Sequence, residues 1–184
     1  MSCLKDLLHG NILLIICVAF YLLWWILAFM PHHKLPPLLT APIICFAGAI
    51  GLVGGYIELK AMSSLTLSRS LIGGLPLIGI GVIVYLTLML VSGFVLKRPI
   101  TTELILIVGW CVLQINYLNV LYGLNHISYT LTLLMMLLII VIGILSLAAY
   151  LYYYQLSDLK SYIDGMIPLI LIGITMIATS FITI

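Results

Sequence analysis

Apolar residues in this chain run continuously in six stretches of about 20 residues, the length a helix needs to cross a ~30 Å hydrocarbon layer. Charge, proline and glycine collect in the short segments between them. The pattern predicts spans at 10–30, 38–57, 70–96, 103–122, 129–150 and 162–184. Trp24 and Trp25 close the first, Lys97, Arg98 and Pro99 close the third, and the run Tyr150, Tyr152, Tyr153 and Tyr154 closes the fifth. Aromatic and basic residues at span ends fit the polar interface of a bilayer. A β-barrel would instead alternate polar and apolar residues in segments of about 10.

Composition agrees: 65% of the 184 residues are hydrophobic and 7% charged. Backbone polar groups in hydrocarbon must be hydrogen-bonded within the protein, so spans of this kind are helical. The expected fold is an all-α integral membrane protein, one membrane domain over 1–184. The first apolar run is too long for a signal-peptide core and ends at Pro31, His32 and His33 instead of a small-residue cleavage site, so it reads as a span. Cys3, Cys17, Cys45 and Cys111 are scattered and form no C-x-x-C pair, which argues against a disulfide framework or metal site. The net charge of +2 points to no nucleic-acid partner. No cofactor is expected: the lysines lie at span ends, away from any retinal-type linkage, and His9, His32, His33 and His126 lack the i, i+4 pairing of a haem or metal site. The expected partners are the lipid bilayer and a small-molecule solute, with a homo-oligomer or larger membrane complex left open.

The chain also resembles itself. Residues 65–74 and 156–165 share Leu, a hydroxyl residue, a basic residue, Ser, Ile and Gly at a constant offset of 91, from Leu65 to Leu156. Each continues to a proline and an apolar pair, Pro76-Leu77-Ile78 and Pro168-Leu169-Ile170. A duplication implies two three-helix halves, 1–96 and 97–184, and an odd number of spans per half makes the repeat inverted. Inversion accounts for the weak charge asymmetry. Lys5, Lys60 and Arg69 fall on one side, and Lys34, Lys97, Arg98 and Lys160 on the other, with a slight lean towards both termini outside a cell or inner membrane. In transporters built this way, glycine- and proline-interrupted spans in matching positions mark the substrate site. Gly74 and Pro76 interrupt the third span, and Pro168 the sixth. The competing reading puts each proline in a first helical turn, where its missing N–H is harmless.

Few polar groups lie inside the spans. Gln114, Asn116 and Asn119 make the fourth the most polar, and Asn116, Asn119, Gly123 and His126 follow at helical spacings that form one stripe. Amides both donate and accept, so such a stripe can line a path for a small neutral solute; equally, it can be interhelical hydrogen bonding. Charged groups, Glu58 and Glu103 among them, are expected at span ends or in loops. Asp164, at the head of the sixth span, is the one ionisable candidate, with a favourable helix-dipole position as the simpler explanation. Gly48, Gly51 and Gly55 supply small-residue spacings for close helix packing in the second span.

These features point to a small transporter or channel for an uncharged or weakly charged solute. An accessory subunit packed within a larger membrane complex is the alternative. A membrane enzyme comes third, because no nucleophile, base or metal-ligand cluster is present.

Overall fold

In a computed structural model of the chain, residues 2–31, 34–63, 71, 75–97, 101–153 and 155–184 are described. Their regular structure is entirely helical: α1 Ser2–Phe29, α2 Pro37–Ser63, α3 Leu75–Leu96, α4 Thr101–Gly123, α5 Tyr129–Tyr153 and α6 Asp158–Thr183. All six are long and apolar enough to cross a membrane, as a multi-pass integral membrane protein requires.

Several helices outrun the apolar runs that announce them. α1 begins at Ser2, ahead of the expected start at residue 10, and α2 continues to Ser63, past the expected end at 57. Hydropathy marks where hydrocarbon contact stops. Backbone hydrogen bonding has no reason to stop there, and the ends of a helix longer than ~20 residues emerge into the interface. The consequence is largest at Glu58, which the sequence places at a span end and the structure places inside α2.

The connection between α4 and α5 shows why a helix stops where it does. Asn125 adopts a left-handed φ of 56°, a conformation asparagine tolerates better than most residues. The amide N–H of Asn125 donates to the carbonyl of Tyr122 and that of His126 to Leu121, both at 2.9 Å, which closes the open carbonyls of α4. The hydroxyl of Ser128 then accepts from the N–H of Leu131 at 3.3 Å and caps the start of α5.

The helices pack as two compact units. One comprises Met1–Ser64 and Ala148–Ile184, and so contains α1, α2, α6 and the last turns of α5; the other is Leu65–Leu147. This partition differs from a cut between residues 96 and 97. In the first unit α1 lies against both α2 and α6, and in the second α3 lies against α4.

Candidate functional site

In the first unit, α1 presents two different stripes. Cys3, Gly10, Cys17 and Phe20 face α2. The thiol of Cys3 donates to the carbonyl of Ala61 at 3.3 Å, and the rings of Phe20 and Phe46 meet edge to face at 4.8 Å. Asn11, Val18 and Trp25, seven residues apart, face α6. A spacing near 3.5 is what two helices packed along much of their length require. The matching stripe on α2 is Ala47, Gly51, Gly54, Glu58 and Ala61, separated by four, three, four and three residues.

Closest approach is at Gly10 and Gly54. A Cβ on Gly54 would stand 3.0 Å from the Gly10 carbonyl oxygen and 3.0 Å from the Leu13 Cβ. One on Gly10 would stand 3.1 Å from the Glu58 amide nitrogen and 3.2 Å from its Cβ. Gly51 meets the Cys17 sulfur, whereas a Cβ on Gly48 would meet nothing within 4 Å. The packing glycines of α2 are therefore Gly51 and Gly54; Gly48 is exposed and Gly55 half-buried.

Asn11 fastens α1 to α6. Its amide nitrogen donates to the carbonyl of Met176 at 3.0 Å and the hydroxyl of Ser180 at 2.9 Å, with Thr179 Oγ1 at 3.3 Å. Next to it on α1, Gly10 faces Glu58. The Glu58 side chain is 0% exposed, and neither carboxyl oxygen has a hydrogen-bond partner. A buried carboxyl without a donor is costly in either protonation state, so it calls for a reason other than packing.

Further along the same unit, the Trp25 indole packs against the backbone at Gly165, where any Cβ would clash with the six-membered edge of the ring, and its Nε1 donates to the carbonyl of Tyr162 at 3.1 Å. Pro168 is interior to α6. It offers no N–H to the carbonyl of Asp164, so one helical bond is missing there. Asp164 is the seventh residue of α6, beyond the first turn over which a helix dipole acts. It is half-buried, with Oδ2 buried and unpartnered. A cleft of about 720 Å³ beside Lys34, Tyr153, Ser157, Ser161 and Tyr162 opens near the start of this helix.

In the second unit, α4 is the least apolar of the six helices and also the most enclosed, with over half of an 18-residue stretch buried. Every residue of 116–121 is buried. A helical stretch buried at every position lies in a protein interior, so Asn116 and Asn119 do not face lipid, although Ile105 nearer the start of α4 is exposed. Gln114, Asn116 and Asn119 are at most 3% exposed. The Asn116 amide nitrogen donates to the Val112 carbonyl one turn back at 3.0 Å, and the Asn119 carbonyl accepts from the N–H of Leu71 at 2.8 Å. One turn from Gln114, the Trp110 indole is 6% exposed and its Nε1 has no partner.

The other expected positions distribute as follows. Gly123 is buried, but His126 is exposed in the turn after α4 and does not extend the buried stripe. Pro76 occupies the first turn of α3, where a proline costs nothing, whereas Pro168 lies in the interior of α6, which continues through it. Gly74, with most of the first repeat segment, lies outside the described residues. The structure adds Glu58, Asn11 and Trp110, which a hydropathy reading passes over. The four-three spacing that places Glu58 among small residues is visible in the sequence and is the signal that finds it.

No family model, curated protein or solved structure matches the chain.

Proposed function

We propose that this chain is a small multi-pass transporter or channel for an uncharged or weakly charged small solute, with α4 lining the path. The observation that carries this reading is the polar interior of α4. Gln114, Asn116 and Asn119 are enclosed in a membrane-length helix, with the unanswered indole N–H of Trp110 one turn away. Polar groups sheltered inside a membrane protein mark solute pathways more often than they serve lipid-facing roles, and a buried donor without a partner asks for one. The proposal includes an inverted duplication of 1–96 and 97–184 and both termini outside a cell or inner membrane. Pro168 within α6 supports it, because the Asp164 carbonyl one turn back is left without its helical donor.

A structural subunit of a larger membrane complex is the competing reading. It draws on Asn119, whose carbonyl is engaged by Leu71 and so serves as a packing contact. Thermal unfolding of the purified protein against a panel of small neutral solutes separates the two. The transport reading expects at least one solute to raise the midpoint for the native sequence and to lose that effect in Asn116→Leu. Silence across the panel supports the subunit.

A further inference from the structure

We propose that Glu58 is a proton-binding site, a carboxyl that takes up and releases a proton from within the α1–α2 seam. The inference is independent of any solute path along α4. Its basis is a residue that does not match its position. Ala47, Gly51, Gly54 and Ala61 share the seam with Glu58 and are all small, as close helix approach in a membrane demands. At the one remaining position the chain places a long acidic side chain, and Gly10 lacks the Cβ that would crowd it. That side chain is fully buried and both of its oxygens are without a hydrogen-bond partner.

Among the described residues, no basic side chain pairs with it and no donor reaches either oxygen. Along α1 the seam offers Cys3, whose thiol is given to Ala61, then Leu7 and Gly10. Lys5, Asp6 and His9 on α1 and Lys60 on α2 are exposed. A hard metal cation asks for about six oxygen ligands, and among the described residues no group of three acidic, histidine or cysteine side chains gathers to hold a metal. A proton needs one carboxyl oxygen and no further ligand. It is the cation this environment suits, because it removes the buried charge outright. Glu58 stands five residues before the end of α2 at Ser63, roughly 7.5 Å along the axis, so exchange with water at that membrane face requires a short path.

Infrared difference spectroscopy on the full-length protein in lipid vesicles tests this directly. A protonated buried carboxyl gives a carbonyl stretch separate from the amide bands, and that stretch shifts when the proton is replaced by a deuteron. The native protein is expected to show such a band, to shift it on transfer to heavy water, and to lose it reversibly as pH rises. Glu58→Gln is expected to lack it, while Asp164→Asn retains it. Glu58→Ala, which matches the small residues of the seam, supplies the same comparison should the glutamine variant fold poorly. The proposal is overturned if the band survives in both Glu58 variants, if no carboxyl band appears in the native protein, or if the band is present but insensitive to heavy water. The last result would mean a proton locked in place.

Discussion

Replacing Gly54 by alanine adds one methyl group at the tightest point of the α1–α2 seam. The new Cβ would lie 3.0 Å from the Gly10 carbonyl oxygen, 3.0 Å from the Leu13 Cβ and 3.2 Å from the Leu14 Cγ. Carbon atoms prefer separations of roughly 3.5–4.0 Å. Two of the three atoms are backbone or fixed to it and cannot swing away, so the helices must part by a few tenths of an ångström, up to about half. A gap of that size forfeits about a quarter to a half of each dispersion contact along the seam. With ~40 atom pairs at ~0.15 kcal/mol each, the loss is about 2 kcal/mol. Alanine returns up to about 1 kcal/mol through helix propensity, so the net cost is about 1 kcal/mol. The same substitution at Gly48 meets nothing within 4 Å and should keep only the propensity gain. The two variants are therefore expected to differ by about 2 kcal/mol with opposite signs relative to the native protein. Reversible unfolding in mixed micelles measures this. Equal shifts at Gly48 and Gly54, or a stabilised Gly54→Ala, would refute the seam. Gly10→Ala should behave like Gly54→Ala, and the double variant should cost less than the sum, since both open one gap.

Asn11→Leu should destabilise by only about 1 kcal/mol, near two membrane hydrogen bonds at the typical ~0.6 kcal/mol. The Met176 carbonyl it abandons still accepts from Thr179 and Ser180 on its own helix; a loss above ~3 kcal/mol would show that the amide does more than fasten α1 to α6. Gly165→Ala should cost about 1–3 kcal/mol by displacing the Trp25 indole, and much of that cost should vanish in a Trp25→Ala background. A full cost in both backgrounds would place the strain elsewhere. At the α4–α5 turn, Asn125→Gly should be neutral or slightly stabilising and Asn125→Val destabilising by about 1–2 kcal/mol, because φ is 56° there. Thermal midpoints decide each case, and equal midpoints for the two Asn125 variants would remove the left-handed backbone as the cause.

The lengths of apolar runs are enough to read six helices from the sequence, since hydrocarbon thickness sets one dominant scale. The contrast between Pro76 and Pro168 was legible too, because counting residues shows that the third span can begin after its proline and the sixth barely can. Glu58 was not legible by the same route. A hydropathy reading ends the second span at its first charge, while the helix continues and carries that charge back into the seam. The helical spacing of Asn116 and Asn119 describes one stripe, whereas every residue of 116–121 is buried, which only tertiary packing decides. His126 followed the helical spacing on paper and left it in fact, because its N–H is spent closing α4 at Leu121.

The central claim is that this chain by itself gives small neutral solutes a route across a bilayer beside α4. Osmotic re-swelling of proteoliposomes, followed by light scattering with glycerol, urea and similar solutes, tests it most directly. The native protein should accelerate entry of at least one solute over protein-free vesicles. Asn116→Leu should bring the rate back towards the protein-free value while Gly48→Ala leaves it unchanged. Protein-free rates for every solute, with the native protein folded and inserted, would contradict it.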